Sequence, residues 1–181
     1  MNQLNEYLNY ILKIKRYSVN TVNAYRIDLK QFFEYFYENK NSNINYNLEI
    51  DKKDIKNYLL YLTEINLSAK SINRKLATLK SFFRFLLKIK IIKSNPTVNI
   101  NGLKLPHKLP KFIQNEVLIK ILDFNKDDNW EVIRDKTILE LFFSTGIRLS
   151  ELIFLDMNDL EIDDNILKVH GKGNKERIVP F

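Results

Sequence analysis

The sequence predicts a mainly α fold: an N-terminal bundle of four to five helices, followed by a smaller α+β region with a short antiparallel sheet. Three observations predict it. Apolar residues recur at helical spacing through the first 90 positions, Gly and Pro number only four each, and β-forming clusters separated by turn signals begin only near residue 160. With 181 residues, 45% of them hydrophobic and 12% aromatic, the chain can fill a core, which excludes global disorder.

Leu4, Tyr7, Leu8, Ile11 and Leu12 set the first helical repeat. Ser18 offers an N-cap to a helix over residues 19–39, whose apolar stripe is Ala24, Leu29, Phe32, Phe33 and Phe36. Residues 39–43 read as a polar loop. Asp51 caps a third helix carrying Ile55, Tyr58, Leu59 and Leu62, and Ser68 caps a fourth that runs to about residue 90. At about 100° per residue, Ile72, Leu76, Leu79, Phe83 and Leu86 fall on one side of that fourth helix, and Lys70, Arg74, Arg84 and Lys88 on the other.

Pro96, Pro106 and Pro110, with a turn signal at Asn101-Gly102, make residues 93–110 a linker between a domain over 1–92 and a second over 111–181. Beyond it, helices are expected near residues 114–124, 130–144 and 149–154. Strands are expected at residues 160–162, 166–170 and 177–179, around turns at 163–165 and 171–175. Trp130 reads as core or helix-start packing.

The formal net charge is +7, and its distribution says more than its total. No Asp or Glu occurs between Ser68 and Lys111, where eleven Lys and Arg residues fall. A stretch of one sign repels itself unless a polyanion neutralises it, which makes nucleic acid the first partner class and an anionic membrane surface the second. Without cysteine there is no disulfide and no thiolate chemistry. Residues 1–6 lack a secretory signal's pattern and no apolar run approaches the roughly 20 residues needed to span a bilayer, so the chain reads as cytoplasmic with no membrane partner. His107 and His170 are isolated, which argues against a metal site, and no Walker loop is present, so no nucleotide cofactor is expected.

Two motifs carry candidate chemistry. In Ser144-Thr-Gly-Ile-Arg-Leu-Ser-Glu-Leu152, Arg148 follows a helix break and precedes Glu151 by three residues, a spacing that lets the carboxylate orient the guanidinium. An arginine fork suits two nonbridging phosphate oxygens; an ordinary surface Arg–Glu pair fits the same spacing. In Gly171-Lys-Gly-Asn-Lys-Glu-Arg177, Lys172 sits at a hairpin tip, either as a solvated turn lysine or as a proton donor to a leaving alkoxide. Thr21, Tyr25 and Arg26 follow the Ser18 cap within reach of phosphates or bases, and Tyr25 suits packing equally.

Together, Thr145-Gly-Ile-Arg-Leu-Ser-Glu-Leu152 and His170-Gly-Lys-Gly-Asn-Lys-Glu-Arg-Ile-Val-Pro180 resemble the tyrosine recombinases, or phage integrases, and within them the bacterial Xer type. Ser18-x-x-Thr-x-x-Ala-Tyr-Arg-x-Asp-Leu29, residues 71–85 and Asn95-Pro96 resemble that family's N-terminal half. The resemblance implies a SAM-like core-binding domain and the start of a catalytic domain, which together clamp duplex DNA. It implies DNA contacts from Lys70, Ser71, Arg74, Lys75, Thr78, Lys80, Arg84 and Lys88 besides Thr21, Tyr25 and Arg26.

By the same resemblance Arg148 is the first catalytic arginine, Lys172 the general acid and Glu151 a supporting acid. A 3′-phosphotyrosyl intermediate then exchanges strands without metal or nucleotide, within a homo- or hetero-tetramer on DNA. All nine tyrosines precede Lys172, the last being Tyr61, so these residues alone are expected not to cleave DNA. A non-catalytic DNA-binding module is the second reading, and a protein-binding adaptor built on the Phe-rich helices the third.

Overall fold

The computed structural model describes residues 2–40, 50–106, 113–123, 129–171 and 175–181. Residues 41–43 of the expected polar loop, His107, Pro110 and the candidate Lys172 lie outside the described residues. The chain divides into two compact units, Met1–Lys108 and Leu109–Phe181.

In the first unit, α1 (Asn2–Asn9) continues as a single π turn over Tyr10–Ile14, and α2 (Val19–Lys40), α3 (Lys52–Glu64) and α4 (Ala69–Lys88) follow. Each later helix starts where a polar side chain can take an orphan backbone donor. Ser18 Oγ accepts from the Thr21 amide at 3.3 Å, and Ser68 Oγ from the Ser71 amide at 3.2 Å. Asp51 and Asp54 satisfy each other's amides reciprocally at 2.9 Å, a capping box.

Tyr7, Ile11, Leu29, Phe32, Ile55, Tyr58, Leu79 and Phe83 are nearly inaccessible in the core. The Phe32 ring meets Tyr58 edge-on at 5.1 Å and Phe83 at 6.3 Å, so α2, α3 and α4 share one aromatic centre. The expected stripes are buried with local departures: Leu4, Ala24, Phe33 and Leu59 are half-buried, and Leu12 is exposed.

The apolar face of α4 is wider than its five-residue stripe, because α1 covers part of it. Tyr7 packs on Phe82 and Phe85 at 5.3 and 5.4 Å, and Tyr10 on Phe85 at 4.9 Å, while the Tyr7 hydroxyl donates to Ser81 Oγ. The solvent face of α4 therefore narrows to a strip holding Lys70, Arg74, Ala77, Arg84 and Lys88, with Leu87 exposed at its flank.

Beneath one edge of that strip lies Asp28 of α2, whose side chain is 1% exposed. Lys75 Nζ donates to its Oδ1 at 3.0 Å, and Thr78 Oγ1 to its Oδ2 at 3.0 Å. Arg74 Nη1 also donates to Oδ2, and Lys75 bonds Gln31 Oε1 as well. A carboxylate so far from water is tolerated only with such partners.

Residues 91–106 form no helix. Their turn falls at residues 96–99, where Asn95 Oδ1 accepts from both the amide and the hydroxyl of buried Thr97, and Ile100 enters the core of this unit. Asn101-Gly102 is not a turn. Asn73 of α4 accepts from the Leu103 amide at 2.7 Å and donates to its carbonyl at 2.8 Å, so the chain lies against the helix. A Cβ on Gly102 would come within 2.6 Å of Asn73 Oδ1, so glycine serves close approach there.

The second unit contains α5 (Asn115–Leu122), α6 (Trp130–Thr145), α7 (Leu149–Ile153), a 3-10 turn at Met157–Asp159, and strands β1 (Leu160–Glu161), β2 (Ile166–Gly171) and β3 (Lys175–Pro180). The sheet is antiparallel in the order β1-β2-β3, with Leu167 opposite Val179 and Val169 opposite Arg177. Ile147, Leu167 and Val169 form its small core, flanked by Phe142, Leu152 and Leu155. The overall class is thus mainly α with a three-stranded antiparallel sheet, as expected. Trp130 departs from expectation: it is 64% exposed, and the Arg134 guanidinium lies 4.9 Å from its ring centre.

Replacing Asp28 with Ala leaves Lys75 buried beside an uncompensated site. It should lower the stability of the first unit by about 3–5 kcal/mol, whereas Arg84→Ala on the exposed strip should change it by no more than about 0.5 kcal/mol. Denaturant unfolding of both variants checks this; equal costs would remove the network from the scaffold's foundations.

Candidate phosphate site and nucleic-acid interface

In the second unit, α6 ends on Gly146, whose φ of 62° is left-handed and whose amide bonds the Phe142 carbonyl at 3.0 Å. That conformation suits glycine and reverses the chain sharply. Ile147 then enters the core, and Arg148 becomes the extended N-cap of α7 with its side chain 70% exposed.

Glu151, one turn later, is buried, its side chain only 3% exposed. Its Oε2 accepts from the Arg148 amide at 2.7 Å and its Oε1 from Arg148 Nη1 at 2.9 Å. This is the i,i+3 pair anticipated from the motif, with the carboxylate inside and the guanidinium outside. A fixed cation with an accessible planar fork can grip the nonbridging oxygens of a phosphodiester.

A third participant comes from β3. Arg177 stands opposite Val169, and cross-strand partners project from the same face, so its side chain leaves the sheet on the core side. It meets Glu151 as a fork, Nη1 to Oε1 and Nη2 to Oε2, both at 2.8 Å. Each carboxylate oxygen thus accepts two bonds. Gly171, which precedes Lys172, closes this cluster: a Cβ there would lie 3.5 Å from both Glu151 Oε1 and Arg177 Nη1. Sequence reading assigned Arg177 no role. The signal that would have found it is the period-two alternation that puts Arg177 and Val179 on one face.

On the first unit, Lys70, Arg26, Arg84 and Lys88 are exposed, and Lys88 also lies 5.4 Å from the Tyr10 ring centre. Arg74 is half-exposed, with one nitrogen, Nη1, bonded to Asp28. Lys80, Ser71 and Thr21 are half-buried, the last two bonded to their helix caps, Ser68 and Ser18. Tyr25 packs against the core and meets Tyr17 edge-on at 6.0 Å, and burial raises its pKa. Lys75 and Thr78 are corrected: they point inward to Asp28, their ends buried, and face no external phosphate. Their position on the helix placed them between the basic and apolar faces, and the buried acid drew them in.

His170 is half-exposed on β2, with Asp159 and Glu176 each 3.5 Å from one ring nitrogen. Among the described residues no group of three or more His, Cys, Asp or Glu side chains is arranged to hold a metal ion.

Arg177 first, then the Arg148 amide and guanidinium, pull the Glu151 carboxyl from an ordinary 4.5 down to about 2, against the opposing effect of burial. A carboxyl whose pKa is lower folded than unfolded contributes stability above about pH 4.5 and loses it as pH falls toward 2. Glu151→Gln should therefore flatten the acid limb of the second unit's melting profile between those pH values. An unchanged limb would mean that the carboxylate is not held as described.

Two family models match this chain: the phage integrase N-terminal SAM-like domain over residues 4–90, and the phage integrase family over residues 111–181. Tyrosine recombinase XerD of Staphylococcus epidermidis is 40% identical over 98% of this chain and 59% of its own length. Tyrosine recombinase XerC of Leptospira interrogans is 38% identical over 97% and 56%. The chain thus spans somewhat over half the length of these curated relatives. Among solved structures, a lambda integrase dimer bound to a COC′ core site aligns with a TM-score of 0.70 at 18% identity, covering 99% of this chain and 61% of that one. The Tn1549 transposon integrase in complex with circular intermediate DNA aligns at 0.65 and 19%, covering 99% and 60%; at such identities these likenesses speak to the fold. Both parts of the chain match one family in the same order, and the Arg148 and Lys172 motifs fall within the second match: the protein belongs to the phage integrase, or tyrosine recombinase, family.

Proposed function

We propose that this chain binds duplex DNA and supplies part of the phosphate-gripping site of a site-specific tyrosine recombinase. The observation that carries the proposal is the geometry at Arg148: an exposed guanidinium whose carboxylate partner is buried, so that the cation is oriented without being covered. The likeness to the DNA-bound lambda and Tn1549 integrase structures, and to the Xer recombinases, supports the same reading.

In this reading residues 1–92 form the core-binding domain, 93–110 the linker and 111–181 the beginning of the catalytic domain. Arg26, Lys70, Arg74, Lys80, Arg84 and Lys88 meet phosphates, with Thr21, Tyr25 and Ser71 at the border of that face. Arg148 holds a nonbridging oxygen of the scissile phosphate. As a tyrosine oxygen, its proton already given up to a base, bonds to phosphorus, the phosphorus–5′ oxygen bond breaks and Lys172 gives its proton to the departing 5′ oxygen. No nucleotide is required, because the phosphotyrosyl link conserves the phosphodiester's energy, and no metal, because arginine and lysine supply the positive charge at the phosphate. The site of action is the cytoplasm, and the working assembly is a recombinase tetramer on DNA. The non-catalytic DNA-binding module is the second reading, and the exposed cations of α4 serve it equally.

Affinity for a duplex should fall steeply with salt. If the five exposed members of that set, Arg26, Lys70, Arg74, Arg84 and Lys88, each neutralise a phosphate, the log–log slope is roughly −4.5, at about −0.9 per phosphate. Arg84→Ala with Lys88→Ala should make it shallower by about two. Affinity indifferent to salt would sink the DNA reading. On a nicked suicide duplex the 181 residues alone should leave no covalent adduct on a denaturing gel under either reading. An adduct would require one of the nine upstream tyrosines to act as nucleophile.

A further inference from the structure

We propose that Arg177 is a positioning residue for the phosphate site: by occupying both oxygens of Glu151, it keeps Arg148 oriented while leaving most of that guanidinium available. The inference rests on the reading of Arg148 given above and assigns a function to a residue outside the Arg148 and Lys172 pair.

Arg148 and Glu151 by themselves have no net charge and, at i,i+3 spacing, can close into a fork that takes two adjacent donors of the five on the guanidinium. Such a closed pair would offer an incoming phosphate no net charge and one fork fewer. Arg177 prevents this by taking the fork position itself, Nη1 on Oε1 and Nη2 on Oε2. Arg148 keeps one side-chain bond, Nη1 to Oε1, and among the described residues Glu151 is its only ion-pair partner. The three-residue cluster carries a net charge of +1, and the surplus resides on the member that is 70% exposed, since Arg177 is 39% exposed and Glu151 3%. The same contact ties β3 to α7. Because Gly171 lies against the cluster, the segment leading into Lys172 is held to the element that carries Arg148.

A lysine could supply the charge but not the fork. The 181-residue chain with 15N-labelled arginine tests the proposal without DNA. Arg177→Leu should shift the Arg148 side-chain Nε–Hε signal and its backbone amide, which donates to Glu151. Arg177→Lys, which keeps the charge opposite Val169 and protects folding, should shift them partway. Unchanged Arg148 signals in both variants, with the β2–β3 cross-strand contacts intact, would overturn the proposal.

Duplex affinity provides the functional arm. Arg177→Leu should weaken binding roughly three- to tenfold, the scale of one charge-assisted contact, but have little further effect when Arg148 is already Ala. Equal losses in both backgrounds would show that Arg177 does not act through Arg148. Should Arg148→Ala itself leave affinity unchanged, the phosphate reading falls, and the NMR signals alone decide whether Arg177 positions Arg148.

Discussion

Both units of this protein are organised around a buried carboxylate that must be neutralised where it sits. Asp28 in the first and Glu151 in the second are almost wholly removed from water. An anion in that position costs several kcal/mol unless cations and hydrogen-bond donors reach it. Asp28 gathers Arg74, Lys75 and Thr78 from α4, and Glu151 gathers Arg148 from its own helix start and Arg177 from β3. In each case one arginine holds its inner end on the acid and its outer surface in solvent. The buried anion thus turns a flexible surface cation into a placed one, which matters when the ligand is a phosphate of fixed geometry.

The surrounding packing serves the same end. The α1 tyrosines on Phe82 and Phe85 take away part of the α4 surface that a helical wheel assigns to solvent, so the cations that remain exposed stand in a narrow strip. Asn73 holds residues 102–103 against the same helix through two backbone bonds. In the second unit, the left-handed Gly146 and the buried Ile147 fix where the chain reverses before Arg148, so the arginine's starting point is set by the core rather than by its own contacts. These are backbone and packing constraints, and the charged groups rely on them.

Much of the fold could be read from residue order. Helix starts at Ser18, Asp51 and Ser68 follow from local capping chemistry, and the hairpin follows from β-formers on either side of Gly171 and Lys175, because both depend on residues a few positions apart. The Arg148–Glu151 pair was equally legible, being one helical turn apart. Lys75, Thr78, Trp130 and Gly102 were not. Whether a border residue of α4 turns inward depends on Asp28, nearly 50 positions earlier, and whether Asn101-Gly102 bends depends on Asn73, about 30 positions earlier.

The sequence by itself therefore determined the fold class, the acid-free basic segment and the motifs that carry the candidate phosphate chemistry, since each is a matter of composition or near-neighbour spacing. Only the tertiary structure decided which cations face solvent, which are spent on a buried acid, and that Arg177 shares Glu151 with Arg148. Those outcomes turn on desolvation and on contacts between distant segments, and neither is defined until the chain has folded.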